Sequence, residues 1–382
     1  MCDMQVVLAT LNEAGQSMGT QAQERFVAST LDGCETAVLF ALARQECLGG
    51  DWDAALATQG FGHKVGEVVG GENVLVLFAR SATDCEILDS FAVSSNHQGV
   101  GRHGGVVAVV RCRNTRLCIC GFHLDGNMRG TQARTSLLPA CVAKAWSRVG
   151  HLDVALCVGD GNCTIDPEKG FSDDIECLRL LAADMETLRS SVKKDTMVEL
   201  SAETREMLQL HLSKFDTRAA LMRVADGSPE ALAIDAAAWT HHVCSSVDHS
   251  DGLDCGISEL KLVPMPPGSF PTYRLSDNSQ SFDALVEYSG DPDREMQSLD
   301  PLMDASSSFV ESAYFTDKKA GIIKKRGDMV RMNLGWVDRL YYGVCQGSST
   351  HVSFEQGPAR LVRASSGRAM DHSLMTWTAS FK

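Results

Sequence analysis

Four apolar runs of the sequence end in a carboxylate, an amide or an imidazole, which are the side chains of acid–base chemistry. The runs VVLATL, VLFALAR, LCICGF and VALCVG are followed by Asn12, by Gln45 and Glu46, by His123, and by Asp160 with Asn162. A single polar residue after an apolar run is usually part of a turn. Four such endings are typical of a sandwich whose loops converge on one functional rim.

Two further groups of this kind lie near the C-terminus. Asp338 lies within a strand pattern, and Asp371 and His372 come just before the last one. A carboxylate can take a proton from water, and an imidazolium held by a second acid can stabilise charge on phosphoryl oxygens. Mg²⁺ takes oxygen ligands and prefers one or two carboxylates together with substrate phosphate, which Glu46 could supply. These residue types suit metal-assisted attack of water on a phosphate ester, with Asp160, His372 and Asp338 in the acid–base roles.

The rest of the sequence predicts the elements that must position these side chains. Residues 1–126 alternate apolar runs with Gly-rich turns and predict short strands. Residues 131–149 show apolar spacings of three and four and predict a helix, and a strand follows at Val154–Val158. Residues 175–224 predict further helices, and the strand patterns GWVDRLYYGV and SLMTWTASF close the chain. Strands at both ends with helices between them predict an α+β fold, with two sheets packed face to face and flanked by helices.

Composition limits the classes of function. The chain has 382 residues, is 44% hydrophobic and carries a formal net charge of −14. This acidity argues against nucleic acid as a partner, because broad binding to phosphates needs a basic face. A small anionic ligand would need only a local basic pocket.

Cysteines and apolar runs bear on the compartment. The sequence contains 14 cysteines, but its start, MCDMQVVLATL, lacks the basic region, the long apolar region and the cleavage site of a secretion signal. We therefore expect reduced thiols and a cytoplasmic location. No apolar run reaches the roughly 20 residues that a membrane helix requires, so we expect no transmembrane segment. Peripheral contact with a membrane surface stays open.

Two sequence boxes resemble the signatures of a known family. GDGNCTI, residues 159–165, resembles Gly-Asp-x-Asn-(aromatic)-Arg, and NLGWVDRLYY, residues 333–342, resembles Pro-x-Trp-Cys-Asp-Arg-Ile-Leu. Both signatures are those of the inositol polyphosphate 5-phosphatases, a branch of the endonuclease/exonuclease/phosphatase superfamily, whose fold is like that of deoxyribonuclease I. Shorter matches follow in the family's order: LNEAG, RQE, GRHGGVVAVV, FHLDG, FDTRAALMR, FPTYRL and MDHSL.

The resemblance implies a fold, a cofactor and a role for each site residue. It implies a four-layer α/β/β/α sandwich that forms one catalytic domain over residues 1–382, with a loop insertion near 276–320. It implies Mg²⁺ as the cofactor, with Asn12, Glu46 and Asp371 near the metal. The implied catalytic residues are Asp160 as the base for water, Asn162 as the group that orients water or phosphate, His372 as the stabiliser of the transition state, Asp338 as the group that orients His372, and His123 beside the scissile phosphate.

Five residues are candidates for binding substrate. Arg102 and His103 occupy the place of the family's Asn-Lys before its Gly, Arg339 lies within the second box, and Lys324 and Lys325 precede that box. A basic run is usually a solvated face. In a chain this acidic, the lysines could instead attract the ring phosphates of an inositol phosphate.

The residues and the resemblance together predict Mg²⁺-dependent hydrolysis of a phosphate monoester on an inositol phosphate or phosphoinositide, without a covalent phosphoenzyme. Two alternatives stay open. One is a phosphodiesterase of the same superfamily, such as a nuclease, deadenylase or sphingomyelinase. The other is a pseudoenzyme that binds phosphoinositide or protein partners. The segment HHVCSSVDHSDGLDC, residues 241–255, contains zinc-ligand types, but its spacing fits no standard zinc pattern and predicts a loop.

Overall fold

The apolar runs of the sequence form buried strands. Successive side chains of a strand point to opposite faces of its sheet, so a strand that is buried on both faces is apolar throughout. The run AVLFALARQ is buried at every position, and NVLVLFA and VALCVGD are as well. Strands of this kind require packing partners on both sides of the sheet.

The structure is a computed structural model of the chain. It describes residues 4–13, 15, 18–31, 34–47, 51–94, 103–124, 132–162, 197–198, 229, 232–233, 256–257, 259–267, 272–276, 314–317, 322–325, 332–335, 337–357, 360–363 and 369–382. At residues 22, 29, 132–135, 197–198, 273–276, 314–317, 322–325, 332–335, 360–363 and 369–371, the description covers the backbone.

The elements follow one another along the chain as three helices and eighteen strands within these residues. The helices are α1 (Thr20–Leu31), α2 (Asp53–Ala57) and α3 (Gln132–Val149). The first strands are β1 (Met4–Asn12), β2 (Ala37–Gln45), β3 (His63–Gly70), β4 (Asn73–Ala79), β5 (Cys85–Ser94), β6 (Gly104–Cys112), β7 (Thr115–His123) and β8 (Val154–Asp160). The later strands are β9 (Met197–Val198), β10 (Lys261–Leu262), β11 (Tyr273–Ser276), β12 (Tyr314–Asp317), β13 (Ile322–Lys325), β14 (Met332–Gly335), β15 (Asp338–Val344), β16 (Val352–Gln356), β17 (Arg360–Arg363) and β18 (Ala369–Phe381).

Most of the strands belong to two mixed sheets. The nine-stranded sheet has the order β14-β11-β18-β1-β2-β4-β3, and β16 and β17 also pair with β18. The six-stranded sheet has the order β10-β15-β8-β7-β6-β5. A separate three-stranded sheet contains β13, β12 and β9.

Alternation along the strands divides the apolar side chains into three layers of core. In β2, Leu39, Ala41 and Ala43 face the other sheet and pack with residues such as Ile119 and Leu156. The side chains between them in β2 face outward, where they pack against α1 and α2. On the far side of the six-stranded sheet, its outward residues pack against α3. The chain is therefore a four-layer α/β/β/α sandwich, and the predicted α+β fold is confirmed.

Strand direction brings the polar strand ends to one edge of this sandwich. β1 runs parallel to β2, and β7 runs parallel to β8, so Asn12 ends beside Gln45 and His123 ends beside Asp160. β15 is antiparallel to β8 and begins at the same edge, where Asp338 lies opposite Asp160. We call this edge, formed where β1, β2, β7 and β8 end and β15 begins, the rim.

The elements differ from the predictions at specific places. Within residues 1–126 we predicted strands alone, but α1 and α2 are helices. The sequence of α1, TQAQERFVASTL, is polar on most of its surface and buries only a few apolar residues, among them Phe26, Val27 and Leu31. Within residues 175–224 we predicted helices, but the only part that the structure describes, Met197–Val198, is a strand paired with β12. The remainder of that range and most of the predicted insertion near 276–320 lie outside the described residues.

Two further expectations concern membranes and cysteines. Among the helices of the described segments, none has the length and apolar character needed to cross a membrane. Nine cysteines lie in these segments, and all are free thiols. The predicted loop at residues 241–255 lies outside the described residues, so the structure does not test the zinc alternative.

Candidate active site

Asp160 lies at the centre of the rim. Its side chain is fully buried. The Asn12 amide donates a hydrogen bond to Asp160 Oδ2 at 2.9 Å, and His123 Nε2 and His372 Nε2 lie 3.5 and 3.8 Å from the same oxygen. The backbone N–H of Asn162 donates to Asp160 Oδ1 at 2.7 Å. The carboxylate is thus approached by nitrogen groups from both sheets.

Local backbone geometry explains why a glycine, Gly159, directly precedes Asp160 on its strand. A Cβ on Gly159 would lie 2.0 Å from the backbone oxygen of Phe122, so only glycine allows β8 to approach β7 this closely. The N–H of Gly161 donates to the carbonyl of Val337 at 2.9 Å. Asn162 has a positive φ of 51°, a conformation that Asn tolerates better than most residues. Its side-chain amide donates to the Leu124 carbonyl at 2.7 Å, which holds Asn162 beside the end of β7.

A second carboxylate, Asp338, is paired with His372. His372 Nδ1 lies 3.3 Å from Asp338 Oδ2, and both side chains are buried. Burial raises the pKa of Asp338 to about 6, although the neighbouring His372 opposes the rise. The ring of His372 therefore joins two acids, with Nδ1 beside Asp338 and Nε2 beside Asp160.

Glu46 and His123 complete the polar wall opposite this pair. The Asn12 amide nitrogen lies 3.5 Å from Glu46 Oε1, and His123 Nε2 lies 3.8 Å from the same oxygen. Burial lowers the pKa of His123, although the nearby Asp160 and Glu46 carboxylates oppose the change. A neutral imidazole can donate one hydrogen bond and accept another, which suits contact with a phosphate oxygen or a water molecule.

His103 lies beside His123. The two rings have centroids 4.6 Å apart in an edge-to-face arrangement with an interplanar angle of 61°. His103 precedes β6 and is half-buried, so it lies between the rim and the surface. This position is compatible with the predicted contact between His103 and a substrate.

The residues at the rim fit a hard divalent cation better than a soft one. The Glu46 side chain is 16% exposed while Asp160 is fully buried, so Glu46 is the acid that a hydrated cation can reach. Among the residues that the structure describes, no group of three or more His, Cys, Asp or Glu side chains could hold a metal ion. Mg²⁺ does not require such a cage, because it is commonly held by one or two carboxylates and keeps several waters. Glu46 and Asn12 supply oxygen ligands of this kind.

The structure therefore brings together most of the predicted site residues. Asn12, Glu46, His123, Asp160, Asn162, Asp338 and His372 meet at the rim, with His103 next to them. The side chains of Asp371, Lys324 and Lys325, and all of Arg102, lie outside the described residues. The roles assigned to these four residues stay predictions.

Arg339 differs from the other predicted residues in its position. It follows Asp338 on β15, opposite Gly159 in the register, and it is 1% exposed. Strand alternation places it on the face that also carries Tyr341, which packs in the cluster under α3, rather than on the face of Asp338. This position gives no support for the predicted contact between Arg339 and a substrate, which stays a prediction.

Two groups at the rim were not predicted. Glu13 and Arg44 form a buried ion pair, with Glu13 Oε1 2.6 Å from Arg44 Nε. Glu13 directly follows Asn12 and Arg44 lies two residues before Glu46, and charged residues beside strand ends are ordinarily expected in solvent. The other group is Thr272, a buried residue of the FPTYRL match whose hydroxyl accepts hydrogen bonds from two backbone N–H groups, those of Val337 and Asp338. The FPTYRL match was the sequence feature that could have pointed to Thr272. A sequence does not reveal, however, which backbone groups form hydrogen bonds with a threonine hydroxyl.

Comparison with known proteins gives similarity to solved structures at low sequence identity. No protein-family model and no curated protein sequence matches the chain. The chain is similar to the inositol polyphosphate 5-phosphatase domain of SPsynaptojanin in complex with inositol (1,4)-bisphosphate and calcium ion, with 12% identity, 99% of this chain and 84% of that chain covered, and a TM-score of 0.49.

Two other similar structures carry different functions. One is Cimex nitrophorin in a ferrous NO complex, with 11% identity, 100% and 99% of the two chains covered, and a TM-score of 0.46. The other is D. rerio TDP2 with a single-strand DNA product, with 11% identity, 100% of both chains covered, and a TM-score of 0.42. One fold can host unrelated functions, so these likenesses do not assign one to this chain. The family predicted from the sequence stays a prediction.

Proposed function

We propose that the chain is a metal-dependent phosphoesterase in which Asp160 activates water for direct attack on phosphorus. The observation that carries the proposal is the meeting of Asn12, His123 and His372 around one oxygen of the buried Asp160. An ionised carboxylate is costly to bury unless it is paired and hydrogen-bonded, and ionisable groups gathered in one buried place are typical of functional sites.

In this proposal Asp160 accepts the proton of the attacking water. The water oxygen forms a bond to phosphorus while the ester bond breaks, so no protein group becomes covalently attached to the phosphate. Asn162 follows Asp160 and orients the water or a phosphoryl oxygen. Contact between the positioned base and water is the main requirement for this type of catalysis.

The His372 and Asp338 pair has a separate role. His372 stabilises the charge that develops on the phosphoryl oxygens, and Asp338 holds the imidazole through Nδ1 at 3.3 Å. His123, whose pKa is lowered by burial, is neutral near pH 7 and donates a hydrogen bond to the same phosphoryl group. His372 and His123 thus both act on the phosphoryl group, and Asp338 acts through His372.

Glu46, Asn12 and Asp371 would hold Mg²⁺ beside this group. When bound, the cation supplies positive charge to the phosphate oxygens and lowers the barrier to attack. The 16% exposure of the Glu46 side chain supports its assignment as a ligand, because the cation must arrive from solvent.

We infer that the substrate is an inositol phosphate or a phosphoinositide. Support comes from the two sequence boxes that surround Asp160 and Asp338, and from the acidic net charge, which is unfavourable for a nuclease. His103 beside His123, together with Arg102, Lys324 and Lys325, would contact the phosphates that are not cleaved.

The test is hydrolysis of a panel of compounds by the purified chain, measured as released inorganic phosphate for the inositol compounds and as shortened product on a denaturing gel for the oligonucleotide. The panel contains soluble inositol phosphates, short-chain phosphoinositides and a single-stranded oligodeoxynucleotide, each with Mg²⁺ and with EDTA. Mg²⁺-dependent release of phosphate from an inositol compound is expected.

Each other outcome changes the proposal in a defined way. Cleavage of the oligonucleotide alone would replace the inositol substrate with a phosphodiester. No turnover of any compound by a folded chain, as judged by circular dichroism, would contradict the phosphoesterase and favour the pseudoenzyme.

A further inference from the structure

The pair formed by Asp338 and His372 is divided between the two sheets. Asp338 begins β15 of the six-stranded sheet, and His372 lies on β18 of the nine-stranded sheet. A contact of 3.3 Å between them therefore depends on how the two sheets meet at the rim. The inner core alone does not fix this distance, because apolar packing is not directional.

Thr272 joins the two sheets at this point. Its hydroxyl oxygen accepts hydrogen bonds from the N–H groups of Val337 at 3.0 Å and Asp338 at 3.1 Å. Its carbonyl accepts a hydrogen bond from the N–H of Ser373 at 2.6 Å. Thr272 thus bonds directly to Asp338 in one sheet and to the neighbour of His372 in the other.

The surroundings of Thr272 make these hydrogen bonds important. Thr272 is fully buried, and a buried N–H that loses its acceptor costs more than the bond itself contributes. The following residue, Tyr273, pairs with His372 in the register between β11 and β18. The contacts of one short segment, residues 272–273, therefore determine the positions of both Asp338 and His372.

We propose that Thr272 is a positioning residue that holds Asp338 and His372 in register across the two sheets. The assignment of a catalytic role to that pair rests on the proposed function. The geometric part does not, because the distance between the two side chains can be followed without a substrate. Displacement of a catalytic group by about 1 Å commonly lowers a rate by about 100-fold.

The test compares three variants. Thr272→Val keeps the shape of the side chain and removes the acceptor, Thr272→Ser restores the hydroxyl, and Thr376→Val is the matched control at another buried threonine, on β18. The first readout is the NMR signal of the His372 Nδ1 proton in protein with ¹⁵N-labelled histidine, in EDTA and without substrate. The second readout is kcat and KM on whichever panel compound is hydrolysed.

Thr272→Val is expected to shift or broaden the His372 signal and to lower kcat by about 100-fold, with KM within about threefold. Thr272→Ser should restore the signal and most of kcat, and Thr376→Val should leave the signal unchanged. An unaltered His372 signal in Thr272→Val, or an equal loss in Thr272→Ser, would overturn the proposal. If Thr272→Val does not fold, the test rests on Thr272→Ser. Loss of the His372 signal in that variant would show that the hydroxyl does not position the imidazole ring. Absence of hydrolysis of every compound would contradict the proposed function but leave the NMR comparison intact.

Discussion

Two aspartates flank β8, one at each end of the same buried strand. Asp153 precedes the strand, and its side chain is 21% exposed. It accepts one hydrogen bond, from the backbone N–H of Arg116 at 2.7 Å, and pairs with His151 at 2.9 Å. Asp160 ends the strand, is fully buried, and is surrounded by Asn12, His123 and His372. The first carboxylate is partly exposed to solvent, whereas the second is buried among groups from both sheets.

The contrast extends beyond the two aspartates. At the end of the six-stranded sheet near Asp153, Glu86 pairs with Arg111 across β5 and β6, and both side chains are about half exposed. At the rim, Glu13 pairs with Arg44, and both are almost completely buried. Exposed ion pairs contribute little, while buried charges depend strongly on their partners. The free-energy cost of burying charged side chains therefore falls at the rim, and not at the opposite end of the sheet.

The largest expected effect on stability is at the buried ion pair. Replacement of Glu13 by Ala removes the carboxylate that compensates the Arg44 guanidinium, and the free energy of unfolding should fall by about 3–5 kcal/mol. Urea denaturation followed by circular dichroism measures the change. A loss below about 1 kcal/mol would show that this pair behaves like an exposed one and would remove the contrast between the two ends.

Because Asp338 is a buried acid, the free energy of unfolding should depend on pH. Its pKa is raised from 3.8 to about 6, so the folded state holds the proton more tightly than the unfolded state does. The stability that Asp338 contributes is therefore complete below about pH 4 and is lost as the pH rises to about 6. At about 1.4 kcal/mol for each tenfold change, the loss is about 3 kcal/mol.

The variant Asp338→Asn removes this titration. The free energy of unfolding of the variant and of the wild type is measured in EDTA at pH 4 and at pH 7.5. Between these two pH values, the difference between the proteins should change in favour of the variant by up to about 3 kcal/mol. The same variant should hydrolyse substrate more slowly, because His372 loses its carboxylate partner. An equal difference in stability at the two pH values would contradict the raised pKa.

Glu46→Gln tests the metal at the rim. Loss of one carboxylate should raise the Mg²⁺ concentration needed for half-maximal activity by roughly 100-fold. The control is Glu67→Gln, which changes an exposed glutamate paired with Lys64 on β3. If both variants need the same Mg²⁺ concentration as the wild type, Glu46 is not a ligand.

The smallest expected effect is at the end of the sheet away from the rim. Glu86→Ala removes the exposed partner of Arg111 and should change the free energy of unfolding by less than about 1 kcal/mol. The measurement is the same urea denaturation as for Glu13→Ala. A loss comparable with that of the buried pair would mean that burial does not distinguish the two ends.

The sequence predicts the buried parts of the fold well, because continuous apolar runs have few alternatives. The runs that became β1, β2, β4, β6, β7 and β8 were all predicted as strands, and α3 was predicted from its helical spacing. α1 was missed because it is short, with 12 residues against 18 in α3, and so offers few apolar residues from which a helical spacing can be recognised. β3 and β5 have mixed burial and no continuous apolar run, so their sequences give a weaker signal.

The rim was predictable in its residue types but not in its supports. Asn12, Glu46, His123 and Asp160 follow apolar runs, and strand direction brings such ends together. Thr272 gave no comparable signal, because its function depends on contacts with Val337 and Asp338, 65 and 66 residues away. The side chains of Glu13 and Arg44 could not be identified as buried, because charged residues are rarely buried unless a partner is known.

The central claim is that the rim around Asp160 hydrolyses a phosphate ester, and the two ends of β8 provide its most direct test. The measurement is the rate of Mg²⁺-dependent hydrolysis by Asp160→Asn and by Asp153→Asn, each compared with the wild type on the best compound of the panel. We expect Asp160→Asn to lose about 10³–10⁴-fold in rate, because it cannot accept the proton of water, and Asp153→Asn to stay within about threefold. Equal activity of the two variants, or wild-type activity in Asp160→Asn, would contradict the claim.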